Sequence, residues 1–150
     1  VFASTTEVDF TLLDNDGPLD FEIVVSDPFQ ISFSLDASLG EADEIMLAEL
    51  SFITDALLTN FFDTYFSNSG VFLFLSPDTL WTQYEAPDVV HFETVFFFEG
   101  GSVLPSVNEL NDAIADAFTG TSMEVYFTDV LALSPANIFS DSQSLAYLTL

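Results

Sequence analysis

Val89-Val90-His91-Phe92-Glu93-Thr94-Val95-Phe96-Phe97-Phe98-Glu99 decides how the chain is read. Side chains alternate between the two faces of a strand. Val90, Phe92, Phe96 and Phe98 therefore share one face, and His91, Glu93 and Glu99 share the other. The second face also carries Val95 and Phe97, so a face that should be polar reads as apolar. Gly100-Gly101 ends the strand.

Alternation returns upstream. Glu7–Leu13 sets Val8, Phe10 and Leu12 against Glu7, Asp9 and Thr11, the pattern of a half-buried strand. Asp14-Asn15-Asp16-Gly17-Pro18 is a turn by composition. Phe21–Val25 is a second short strand, and Phe29–Leu35 points Phe29, Ile31, Phe33 and Leu35 inward. Ser38-Leu39-Gly40-Glu41 fits a capping box, with Asp43 and Glu44 complementing the helix dipole. The spacing predicts a helix to about residue 66, with Met46, Leu50, Ile53, Leu57 and Phe61 as its apolar stripe. Val71–Leu75 is apolar on both faces and reads as a central strand; Ser76-Pro77-Asp78 should turn the chain, and Leu80–Tyr84 should re-enter the sheet.

Downstream, Ser106-Val107-Asn108-Glu109 is a second capping box. It opens a short helix on Leu110, Ala113, Ile114, Ala117 and Phe118, closed by Gly120. Ser122–Leu133 is expected as a strand with Met123, Val125 and Phe127 on one face, and Leu145–Leu150 as a last short strand. There is no internal repeat or linker, so residues 1–150 are read as one domain. Its parts are an N-terminal strand extension over 1–27, a unit over 28–133 and a C-terminal extension over 134–150. The expectation is an α+β fold, an antiparallel sheet with helices 40–66 and 106–119 on one face.

From Phe29 the order strand, helix, strand, strand, helix, strand is that of the split βαβ, ferredoxin-like arrangement. Over roughly residues 28–133 the chain resembles the SEA-like modules of extracellular proteins, which share it. Gly101-Ser102-Val103-Leu104 is similar to the Gly-Ser cleavage motif of SEA domains. It stands before the second helix and not between the middle strands, so autoproteolysis is not carried over. The stretch from Val103 through Gly120 also resembles segments of secreted proteins from diatoms and related algae, which implies secretion and no particular activity.

Composition narrows the function. The chain carries 25 Asp and Glu, no Lys or Arg, one His and 18 Phe. A disordered acidic tail would be poor in aromatics. Apart from the amino terminus and His91, no cation exists for a carboxylate to pair with, and like-charge repulsion opposes the compact state. Nucleic acid is excluded as a partner, because phosphate binding needs Lys or Arg. An anionic membrane surface would repel the chain, and no run approaches 18 continuous apolar residues. The start at Val1 and the absence of basic sites read as a product excised at basic junctions, or as adaptation to saline or protease-rich surroundings. The chain has no Cys, hence no disulfide or thiol chemistry. Ser and Thr are plentiful, which leaves O-glycosylation open.

No constellation argues for an enzyme. His91 should lie toward solvent beside Glu93, with no nucleophile or orienting group at hand. One His and no Cys cannot make a zinc site. Asp63-Thr64-Tyr65 lacks the Gly expected after an aspartic-protease Asp-Thr, and no Gly-rich phosphate loop occurs. Calcium is the sharpest site hypothesis: Asp14, Asp16, Asp20 and Glu22, with Asn15, cluster around Gly17. In EF-hand register positions 1 and 12 would be Leu12 and Ile23, which cannot ligate, so the stretch is either a weak calcium-binding turn or an ordinary hairpin turn. No cofactor is required.

The surplus apolar face carries the functional expectation. Val95 and Phe97, with Val71 and Leu73, form an interface covered by the N-terminal strands or by another copy. The leading expectation is an extracellular, secreted structural subunit of a self-assembling filament, coat or matrix, with itself and divalent cations as partners. The alternative is a soluble acidic protein that interacts with calcium or mineral.

Overall fold

The computed structural model describes residues 20–68 and 71–149. The expected strand Glu7–Leu13 and most of the acidic turn lie outside them. The described chain runs β1 (Phe21–Val25), β2 (Phe29–Phe33), α1 (Glu44–Ser67), β3 (Phe74–Glu85), β4 (Val89–Glu99), α2 (Val107–Ala117), α3 (Gly120–Leu131) and β5 (Leu145–Thr149). Short 3-10 turns occupy Ala37–Leu39 and Ile138–Asp141.

The fold is α+β, built on one five-stranded antiparallel sheet. β4 is its centre. β3 runs along one side of β4, with a bulge between Phe74 and Ser76 and another between Trp81 and Gln83. The other side of β4 is shared end to end. β1 pairs with its C-terminal half (Ile23 opposite Phe97, Val25 opposite Val95) and β2 with its N-terminal half (Phe29 opposite Phe92, Ile31 opposite Val90). β5 then pairs with β2. The joint at Ser26-Asp27-Pro28 is stitched by the Ser26 N–H donating to Thr94 O (2.9 Å) and the Thr94 N–H donating to Ser26 Oγ (3.2 Å). Asn111 of α2 clamps Asp27 through two further bonds, of 3.1 and 2.8 Å. Phe21–Val25, expected as an extension, is therefore part of the sheet itself.

The parity read from Val89–Glu99 sets the core. Val90, Phe92, Phe96 and Phe98 are fully buried, and by register Phe29 and Ile31 lie on the same face. The helices pack there. Phe62 of α1 lies 5.0 Å from Phe96 and Phe66 lies 5.5 Å from Phe98, ring centre to ring centre; Phe118, at the end of α2, lies 5.6 Å from Phe29. Such aromatic pairs add directional contacts to the area they bury.

Several boundaries differ from expectation. α1 is capped not at Ser38 but at Asp43, whose carboxylate accepts from Met46 N (2.9 Å). Gly40, at φ +82°, reverses the chain between a small turn capped by Asp36 and the helix. Its buried stripe is rotated by about one residue from the predicted one, to Leu47, Leu50, Thr54, Leu57, Leu58, Phe62 and Phe66. The capping box at Ser106 and Glu109 forms as read.

Ser76-Pro77-Asp78 does not turn the chain; β3 runs straight through it. Proline is tolerated on an edge strand when its missing N–H would have faced away from the sheet. The Thr79 N–H, of the same parity as Pro77, points outward to Asp55.

Ser122–Leu133 is not a strand. The chain there is helix α3, and its buried Tyr126 and Val130 with the partly buried Met123 follow a spacing of three and four. Val125, expected inward, is exposed. α3 closes over α1: Tyr126 Oη lies 2.8 Å from Thr54 Oγ1, and its ring packs on Phe118 at 5.3 Å.

Candidate assembly surface

Helices cover one face of the sheet. On the other, the pairing of β1 with β4 sets Phe21, Ile23 and Val25 beside Val95 and Phe97. The first three are exposed, Ile23 to 50%, while Val95 and Phe97 are half-buried. Phe21 and Phe97 meet edge to face at 5.5 Å. Across β4 the surface continues through exposed Leu75 and Leu80, the latter opposite Glu93 and 59% exposed. Val71 and Leu73, 55% and 51% exposed, lie just before β3. Of the interface residues expected from sequence, Val95 and Phe97 lie on this surface, whereas Leu73 lines a cleft with Asp63, Phe66 and Ser67 of α1; by register Phe21, Ile23, Val25 and Leu80 join the surface. Parity in Phe21–Val25 was the signal for the first three; Leu80 could not be placed without the register of β3.

His91 departs from the reading. It is on this face, flanked by Gln30 and Gln83 on the neighbouring strands, but only 8% exposed. A central strand is shielded from both sides, which parity alone does not tell. Its Nε2 meets the carboxylate of Glu85, not Glu93.

The β3 and β1 edges of the sheet are treated differently. The outer edge of β3 is sealed. Pro77 offers no N–H, the Thr79 N–H donates to Asp55 Oδ1 (2.8 Å), and the Trp81 N–H donates to Ser51 Oγ (2.9 Å). This is how a sheet edge is kept from pairing with another chain. It also draws the Asp55 carboxyl partly out of water, and that desolvation pushes its pKa up; the Thr79 N–H opposes the shift and the nearby Asp78 charge adds to it. Sequence reasoning missed this role of Asp55 and Ser51 altogether.

Among the described residues the edge of β1 has no such seal. Asp20 O accepts from Gly100 N (3.0 Å) and the Ser26 N–H donates to Thr94 O (2.9 Å), so even-numbered residues turn their backbone groups toward β4. Backbone groups alternate along an antiparallel strand. The N–H and C=O of Phe21, Ile23 and Val25 therefore face away from β4, where no described residue pairs with them.

Of the candidate calcium ligands, Asp14 and Asp16 lie outside the described residues. Asp20 is exposed ahead of β1, and the Glu22 carboxylate accepts from Gly101 N (2.8 Å). Among the described residues no group of three or more His, Asp or Glu side chains is placed to hold a metal. α1 is long and apolar enough to cross a membrane by length and composition, with a mean hydropathy of 1.4; here it is the helix that covers the Phe-lined face of the sheet.

Comparison with family models, curated proteins and solved structures returns no match.

Proposed function

We propose that this chain is an extracellular, secreted structural subunit that assembles with copies of itself into a filament, coat or matrix, with the helix-free face of the sheet as its contact surface. The arrangement we read is ferredoxin-like, with β1 and β2 together as its first strand. Its support is the spatial order β3, β4, β1/β2, β5 with the helices against one face.

One observation carries the assembly reading: an apolar cluster of Phe21, Ile23, Val25, Val95 and Phe97 on the helix-free face of a chain with 25 carboxylates and no Lys or Arg. Exposed apolar side chains stand elsewhere too, Ile45 and Phe52 of α1 among them, but here several adjoin on neighbouring strands, and an exposed apolar patch marks a contact site. Two such faces stack at about 10 Å separation, and a stable interface buries roughly 800 Å² per partner. Repulsion between copies is screened over about 8 Å at physiological salt. Divalent cations are the natural counter-ions, since the chain supplies almost no cation of its own. A surface without Lys or Arg also offers trypsin-like proteases no cleavage site, as suits a protein that persists outside the cell.

The test is light scattering and electron microscopy of the native chain at physiological salt with calcium, beside Ile23→Asp and Phe97→Asp. Regular polymers in the wild type, dispersed in an Ile23→Asp variant that still folds, support the reading. A wild type that stays monomeric under these conditions sinks it, and the soluble calcium- or mineral-interacting alternative takes its place.

A further inference from the structure

We propose that the groove between the outer edge of β3 and the exposed side of α1 binds an Arg side chain of another protein, with an apolar neighbour of that Arg seated beside it. The proposal does not rest on self-assembly.

The groove is a cleft of about 330 Å³. α1 lines it with Ala48, Phe52 and Asp55, and β3 with Asp78, Leu80 and Trp81. Phe52 is 75% exposed, and the equally exposed Ile45 stands about two turns earlier on the same side of the helix. Apolar walls with a few convergent polar groups are the usual make-up of a ligand cleft. The polar groups here are two carboxylates near enough to repel. Burial first, and the Asp78 charge in addition, push the Asp55 pKa up against the opposing bond from the Thr79 N–H.

Three features choose the occupant. The first is charge. A pair of carboxylates calls for a cation, and the chain has no Lys or Arg anywhere in its sequence, so a second copy brings no guanidinium to the groove.

The second is the sealed edge. The Thr79 and Trp81 N–H groups are taken by Asp55 and Ser51, at 2.8 and 2.9 Å. An incoming backbone cannot pair with those donors as an added strand, so the contact is made by a side chain. The N–H and C=O of one residue point to the same side of an antiparallel strand. The carbonyls of Thr79 and Trp81 therefore face outward with their N–H groups and add acceptors to the two carboxylates.

The third is the aromatic lining. A guanidinium is planar, presents five N–H donors and stacks on aromatic rings. It meets carboxylates and carbonyls with its edge while lying beside Phe52 and Trp81. A hydrated calcium ion would take the carboxylates and gain nothing from the apolar wall. Ile45 and Leu80 provide the surface for a neighbouring apolar side chain.

Trp81 is the only tryptophan in the chain, so the groove carries its own fluorescent reporter. The full chain is titrated at physiological salt with an acetylated Gly-Arg-Leu-Gly amide, and with the same peptide carrying citrulline, which keeps the shape of Arg and lacks its charge. Expected is a saturable change in Trp81 emission with the Arg peptide and none with the citrulline peptide. Asp78→Asn, at an exposed site, should weaken the affinity about tenfold, the loss of one charge-assisted contact. Phe52→Ala, also exposed, should weaken it as well. Glu124→Gln, an equal loss of charge on exposed α3 surface, should leave it unchanged. An emission that does not respond overturns the proposal. So does a response that never saturates, or one that Glu124→Gln weakens as much as Asp78→Asn, since either describes general attraction to an acidic chain. A saturable response to calcium with none to the Arg peptide assigns the groove to a metal ion and also overturns it.

Discussion

Replacing the hydroxyl pair that joins α1 to α3 gives the sharpest test of the described core. Thr54 Oγ1 donates to Leu50 O at 2.7 Å, and Tyr126 Oη lies 2.8 Å from that same Thr54 oxygen. Thr54 has one hydroxyl proton, and Leu50 O takes it, so Tyr126 must be the donor in the second bond. Both side chains are fully buried. Tyr126→Phe removes a donor and leaves Thr54 satisfied, so the cost is that of one net hydrogen bond, about 1 kcal/mol. Thr54→Val removes the acceptor and strands the Tyr126 hydroxyl in the core, which costs about 2–3 kcal/mol. At this chain length 1 kcal/mol moves Tm by roughly 3 °C. The expected losses are thus about 3 °C for Tyr126→Phe and about 6–9 °C for Thr54→Val. The double variant should fall near Tyr126→Phe alone, because no polar group is then left unpaired. Calorimetry or chemical denaturation of the three variants reads this directly. A Tyr126→Phe loss larger than that of Thr54→Val, or a double variant as poor as the sum of the singles, would refute the bonding order and the docking of α3 on α1. Alkaline titration adds a check. Burial holds the Tyr126 phenol well above its ordinary value of 10.0. A raised folded pKa means stability present below pH 10 and lost as pH rises beyond it, so Tyr126→Phe should lose less stability than the wild type above that pH.

Further expectations concern charge, capping and the contact surface. Asp55 has a raised folded pKa from desolvation, so its charge opposes folding as pH rises from the unfolded value of 3.8 through the folded one. Asp55→Asn keeps an acceptor for the Thr79 N–H and should raise Tm at pH 7, a gain that vanishes near pH 3; a gain that persists at pH 3 would rule out the charge as its cause. Ser106→Ala removes the acceptor for Glu109 N (3.1 Å) and should cost about 1 kcal/mol in a denaturant titration. Salt and calcium should each raise Tm by screening the carboxylates, and a Tm indifferent to both would show that repulsion is not limiting. Val95→Asp, at a half-buried site opposite Val25, should lower Tm and disperse assemblies, whereas exposed Ile23→Asp should disperse them with a smaller loss of Tm.

By itself the sequence determined what depends on local pattern. Strict alternation in Val89–Glu99 and Phe29–Phe33 set both the strands and the inward face, because only one parity could bury Phe92, Phe96 and Phe98. The Ser106 and Glu109 spacing was enough for the second helix, since a capping box is closed within one turn. Composition alone excluded salt bridges to Lys or Arg and made an apolar face conspicuous. Tertiary structure decided the rest. Residues 120–131 carry apolar side chains compatible with either period, and only the burial of Tyr126 against Thr54 selects the helix. Pro77 reads as a breaker in sequence, yet it sits within a strand because that strand is an edge and its outward side is closed by α1. His91 lies on the expected face but is covered, because strands flank β4 on both sides. The sealing of the β3 edge is written in no local pattern. It arises because Asp55 and Ser51 reach β3 across 24 and 30 residues of chain, and hydrogen bonds over such separations exist only once the helix has docked on the sheet.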